Sequence, residues 1–193
     1  MKHALPGRAR VVIVGGGVAG CSTAYHLGKR GWSDVVVLER KRLTSGTTWH
    51  AAGLITQARP TYGTREIVRR SLRVFHSLEE ETGFATGFEK TGTLHLADGA
   101  ERLEELTRQA SAVRANGITA EVISAEQAAE LFPPLYPGEL AGAVYYPDDG
   151  RGNATDTTMA LAAGARQLGV RIVENTKVTG VIRRDGRMAG VTT

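Results

Sequence analysis

Val11-Val12-Ile13-Val14-Gly15-Gly16-Gly17-Val18-Ala19-Gly20 is the stretch from which the fold is read. Four β-branched residues in a row suit a strand covered on both faces, as in a parallel sheet, and the glycines end it. Residues 18–30 (VAGCSTAYHLGKR) read as a helix stopped by Gly31, and Val35-Val36-Val37-Leu38 as a second buried strand ending at Glu39. Strand, glycine turn, helix and strand within about 30 residues make a βαβ unit. Gly15-x-Gly17-x-x-Gly20 matches the dinucleotide fingerprint. Gly15 allows the tight turn, Gly17 lets backbone approach a pyrophosphate, and Gly20 lets the helix pack on the strand. The phosphates then face free amides and the positive end of the helix dipole. Glu39, about 20 residues beyond the last glycine, is placed to accept hydrogen bonds from a ribose diol, with Arg40 beside it. These positions imply an ADP-ribose site. They leave open which dinucleotide fills it.

Outward from this unit, residues 40–63 carry Gly, Thr and Ser with little periodicity, so loop with one short helix is expected. A long helix is predicted over 64–82, with Ile67, Val68, Leu72, Phe75 and Leu78 on one face and Gly83 at its C-terminal cap. A strand at Thr93–Ala97 and a helix over 100–115 follow. A capping box then opens at Ser124-Ala125-Glu126-Gln127, its helix closed by Pro133-Pro134. Ala143–Tyr146 is strand-like, 155–168 helical, and Val170–Val173 a strand. Lys177–Arg183 and Met188–Thr192 form a hairpin about Asp185-Gly186. The predicted fold class is α/β: a Rossmann-like domain with a partly parallel sheet, plus part of a second, α+β domain. The expected division is 1–83, then 84–150 on the substrate side, then 151–193 returning to the first domain.

Composition bounds the reading. With 193 residues, 41% hydrophobic and 23% charged, the chain is long enough for a packed core. Its 24 glycines are an excess, consistent with close backbone approaches. A net charge of +4 suits small anionic ligands better than a nucleic-acid face. No apolar run approaches the roughly 20 residues of a membrane span. The basic N-terminal tail lacks a small-residue cleavage site, so no secretory signal is expected. One cysteine, Cys21, excludes a disulfide framework or a multi-cysteine zinc site and points to the cytoplasm.

A second motif lies shortly after Glu39: Thr44-Ser45-Gly46-Thr47-Thr48-Trp49-His50-Ala51-Ala52-Gly53-Leu54. Hydroxyls and glycines here offer donors to a second phosphate or a ring edge. His50 taken alone reads more simply as a half-buried histidine bonded to backbone.

LTSGTTWHAAGL (43–54) resembles the segment of the dimethylglycine dehydrogenase and sarcosine dehydrogenase family in which the histidine is covalently attached to FAD. VVIVGGGVAG, VVVLERKRLTSGTTWHAAGL, LEEETG, TGTLHLA, ELFP and DDG followed by TMALAAGAR agree with it in order along the chain. The resemblance implies FAD contacts from Val18 and Ala19, with Glu39 and Arg40 at the adenosine ribose. It implies that Gly46, Thr47, Thr48, Trp49, His50, Ala51, Ala52, Gly53 and Leu54 line the pyrophosphate and isoalloxazine side. His50 would be the covalent link and Val178, on the late strand, the backbone contact to adenine. It further implies a small N-methyl amine as substrate, hydride transfer to the flavin, and oxygen or an electron-transfer flavoprotein as acceptor. Tetrahydrofolate would serve the full-length protein.

Members of this family run several hundred residues longer, so the chain resembles an N-terminal fragment without its catalytic base, and self-association through uncovered apolar faces is expected. A related oxidase of D- or cyclic amino acids and a catalytically inactive dinucleotide-binding fragment are the competing readings. The arginines at 59, 65, 69, 70 and 73 read as the solvated face of the long helix, and Tyr62, Tyr145 and Tyr146 as strand core or rim. Asp148-Asp149-Gly150 reads as a turn with too few ligands for a metal.

Overall fold

The computed structural model describes residues 5–193. The first part of the basic N-terminal tail, on which the expectation of no secretory signal partly rests, lies outside the described residues. Elements follow in the order β1 (Val11–Val14), α1 (Val18–Lys29), β2 (Val35–Leu38), β3 (Leu54–Ile55), α2 (Tyr62–Thr82), β4 (Thr93–Ala97), α3 (Ala100–Arg114), β5 (Glu121–Ile123), α4 (Ala125–Leu131), β6 (Gly142–Tyr146), β7 (Gly150–Arg151), α5 (Ala154–Gln167), β8 (Arg171–Val173), β9 (Gly180–Arg184) and β10 (Arg187–Thr192). One-turn 3-10 helices occupy Thr47–His50 and Pro137–Glu139. The described chain divides into two compact units: residues 5–53, 75–87 and 153–193, and residues 54–74 and 88–152. The boundary near residue 74 falls inside α2.

The first unit is α/β. Its sheet is parallel in the order β1-β2-β8, with Val11 opposite Val35 and Val36 opposite Arg171. The central strand β2 is fully buried, and each such valine is worth about 1.5–3 kcal/mol relative to exposure. β1 departs from expectation. It is half-buried at the edge of the sheet, and Val14, at its end, is 60% exposed. Helices α1 and α5 approach closely through small residues: a Cβ at Gly164 would lie 2.8 Å from the Tyr25 ring, and one at Gly28 2.8 Å from Leu168. The end of α2 is tied to α1 by Glu81, which accepts hydrogen bonds from the Tyr25 hydroxyl and from Lys29 Nζ at 2.7 Å. These donors, Lys29 first, hold the Glu81 carboxyl down at about 2.

β9 and β10 form the expected hairpin about Asp185 (φ 49°) and Gly186 (φ 75°), the positive-φ pair of a two-residue turn. The first strand begins at Gly180 rather than Lys177. Val178 therefore precedes the strand instead of lying on it. Residues 174–176 are held elsewhere, since Asn175 N–H donates to Lys41 O and Thr176 N–H to Glu39 O, both at 2.8 Å.

The second unit is built on an antiparallel sheet in the order β4-β6-β5. Leu106, Ala110 and Val113 of α3 bury themselves against Ala97, Val144 and Tyr146, closing one face of that sheet into a core. Short β5 and the two-residue pair β3–β7, with Leu54 opposite Arg151, escape a reading by periodicity. The capping box at Ser124 is present as expected, with both reciprocal hydrogen bonds to Gln127. In α2, Leu72 and Leu78 are buried as expected, but Ile67 is 66% exposed. No described helix is long and apolar enough to cross a membrane, and no group of acidic, His or Cys side chains among the described residues could hold a metal ion.

Candidate dinucleotide site

The glycine turn owes its shape to two steric facts. Gly15 sits at φ 105°, a conformation other residues rarely adopt. A Cβ at Gly20 would fall 2.0 Å from the Gly15 carbonyl oxygen, so no side chain fits where α1 crosses the turn. Gly16 is closely covered as well: a Cβ there would lie 2.4 Å from the end of the Leu43 side chain, 27 positions away in a loop, and 3.0 Å from the Glu39 Cβ.

Glu39, at the end of β2, is already engaged with the turn. Its Oε2 accepts the Gly16 N–H at 2.7 Å and its Oε1 the Lys41 N–H at 2.8 Å. Each carboxylate oxygen can accept again, so the side chain is oriented while retaining capacity for a diol. The α1 N-cap, Gly17, has no side chain to cap the helix. That task passes to Thr48, whose Oγ1 accepts the Val18 N–H at 2.9 Å. Cys21 lies beneath the turn, with its Sγ 3.6 Å from Gly16 O. Burial pushes its thiol up to about 11, which makes it a packing residue and not a nucleophile.

These pieces border one cleft of about 540 Å³, lined by Val14, Gly15, Gly17, Val18, Ala19, Gly20, Glu39, Arg40, Ser45, Gly46, Thr47, Thr48 and Ala51. Eleven of the residues singled out from the sequence thus come together, and Val14 and Ser45 join them. Trp49, His50, Ala52, Gly53, Leu54 and Val178 are not part of this lining. His50 and Trp49 stand exposed at the end of the 3-10 turn with their rings 6.0 Å apart, edge to face. The simpler reading of His50 as a half-buried histidine is therefore corrected. Thr48 is the only buried residue of that turn.

The lining fits an adenine dinucleotide. Glycine backbone and hydroxyl groups at Ser45, Thr47 and Thr48 suit phosphate oxygens, and the carboxylate stands at the strand end where a ribose would lie. The exposed apolar side chains Val14 and Val18 (43%) border the same space and would lose water to a bound ring system.

A family model described as FAD dependent oxidoreductase (DAO) matches residues 10–193. The pyruvate dehydrogenase phosphatase regulatory subunit, mitochondrial, of Mus musculus is 43% identical over 190 residues, covering 98% of this chain and 22% of that protein. Sarcosine dehydrogenase, mitochondrial, of Homo sapiens is 43% identical over 178 residues, covering 92% of this chain and 19% of that protein. Among solved structures, L-proline dehydrogenase from P. horikoshii superposes with a TM-score of 0.91 at 30% identity over 97% of this chain and 49% of its own. The chain thus spans about a fifth of the length of these two curated relatives.

Proposed function

Since the chain belongs to the FAD dependent oxidoreductase family, we propose that it forms the adenosine–pyrophosphate half of a flavin site in an enzyme that oxidises the N-methyl C–N bond of a small amine. The observation that carries this reading is the shared cleft: the glycine turn with Glu39, and the hydroxyl-rich segment before His50, border one space.

FAD, when bound, supplies the two-electron acceptor for hydride removal from carbon next to nitrogen. The chain's own residues bind and orient. Glu39 holds the ribose, repels a 2′-phosphate and fixes the turn. With the Val18 N–H taken by Thr48, the Ala19 and Gly20 amides of the first turn of α1 are the ones offered to the pyrophosphate. His50, exposed at the end of its turn, is the residue that would tether the ring. A neutral imidazole is a competent nucleophile near pH 7. Oxygen or an electron-transfer flavoprotein is the acceptor, tetrahydrofolate a partner of the longer protein, and a cytoplasmic setting suits the lone buried cysteine.

The test is flavin retention. Protein incubated with FAD and precipitated in acid is expected to give a yellow pellet, and its His50 peptide a mass increased by one flavin. His50→Ala is expected to bind FAD yet give a colourless pellet. A colourless wild-type pellet would sink the tether and favour a related oxidase with dissociable FAD. A second reading, a nucleotide-binding chain without catalysis, is favoured by the 43% identity to a regulatory subunit. It predicts that FAD is held while no N-methyl amine is turned over.

A further inference from the structure

Thr48 belongs by sequence to the His50 segment, but its hydroxyl serves the glycine turn. Three observations bear on this. Its Oγ1 accepts the Val18 N–H at 2.9 Å, satisfying a first-turn donor that the N-cap Gly17 cannot reach. It also fills the space that Gly17 leaves open: a Cβ at position 17 would lie 2.9 Å from this oxygen. Within its own turn, Thr47–His50, it is the one buried residue, at 7% exposure, while Trp49 is 69% exposed. The Ala51 N–H closes the turn onto Thr48 O at 3.1 Å. The turn also packs on α5, and the Thr44 N–H donates to Gly16 O at 3.1 Å just before it, but within the turn itself Thr48 is the one side chain bonded to the start of α1.

We infer that Thr48 is a positioning residue: its hydrogen bond to Val18 fixes the His50-bearing turn to the start of α1, and so decides whether the imidazole faces the cofactor. The hydroxyl acts through His50 and not on the reacting atoms. The inference rests on the proposed placement of His50 at the flavin ring, and the test separates the two.

The same bond can be removed from either side. Thr48→Val keeps the side-chain shape and deletes the acceptor. Val18→Pro deletes the donor at the first helical position, where proline is well accepted, and Gly17 already has the extended backbone (φ −83°, ψ −177°) that a residue before proline takes. The measurement is carbethoxylation of His50 by diethylpyrocarbonate, followed by mass on the His50 peptide, with FAD or ADP as protecting ligand. For the wild type, FAD is expected to slow modification about tenfold and ADP less than twofold. In Thr48→Val and in Val18→Pro, saturating FAD is expected to protect less than twofold, Thr48→Ser to restore protection, and the double variant to lose no more than either single one. Full protection in both single variants overturns the positioning role. A wild type that binds FAD without protecting His50 overturns the placement of His50, and the positioning role with it.

Discussion

Two carboxylates mark the difference between the units. Glu39 ends a strand in the first unit, half-buried, with each oxygen accepting one backbone N–H. Asp149 in the second is fully buried. Its Oδ1 accepts the Gln57 backbone N–H at 2.9 Å and the Gln57 amide at 3.4 Å, while Oδ2 and the buried Tyr146 hydroxyl have no hydrogen-bond partner among the described residues. Burial raises the Asp149 carboxyl above its ordinary range, against the pull of Gln57. The first acid spends its contacts on shaping a backbone turn that stays open to a ligand. The second holds an irregular strand end to a sheet and carries the cost of desolvation. An acid at a ligand site is thus recognised here by what it leaves accessible, not by burial.

The sharpest way to break the contrast is Gly20→Ala. With a carbonyl oxygen 2.0 Å from the new methyl, the turn must open. A loss of about 3 kcal/mol in stability and of FAD binding by about 100-fold is expected, read by thermal melting and FAD titration. Asp149→Ala should act on stability alone. Leaving the buried Gln57 N–H unpaired is expected to cost about 2 kcal/mol in urea unfolding, with ADP affinity unchanged.

Protonation gives a finer test of the same residue. Because the folded carboxyl binds its proton more tightly than the unfolded one, stability due to Asp149 is greatest at low pH. It falls as pH rises from the ordinary value of 3.8 through the raised one. Asp149→Asn is expected to remove that decline when unfolding is compared at pH 4 and pH 7. The smallest effect is Glu39→Gln: the amide oxygen can keep the Gly16 N–H, so stability should change by about 1 kcal/mol or less, while ADP binding weakens about tenfold by titration calorimetry.

Much of the first unit is legible in the sequence because its signals are local. The run Val11–Val14, the glycine spacing and Glu39 sit within 30 residues, and the chain geometry of a βαβ unit brings them together. The capping box at Ser124 and the turn at Asp185-Gly186 are legible for the same reason. What escaped depends on distant partners. Nothing near Val18 announces that its amide is capped by Thr48, or near Gly16 that the Leu43 side chain packs over it. β3 and β7 are two residues each, too short for any period. Asp149 reads as part of a turn and is instead the buried clamp on Gln57, since a turn residue's exposure depends on what packs over it. Val178 lies ahead of the strand because β-branched composition starts at Thr176, before pairing begins at Gly180.

The sequence by itself determined that this chain builds a βαβ nucleotide fold with an acid at the ribose position. Backbone conformations such as positive φ at Gly15, and the periodicity of buried strands, are properties of neighbouring residues. Only the tertiary structure decided that the hydroxyl of Thr48 caps α1, that eleven of the chosen residues share a cleft while His50 stands exposed, and which of two acids is buried. Those outcomes depend on contacts across 30 or more residues, and packing and desolvation act on distance in space, which the order of residues along the chain does not record.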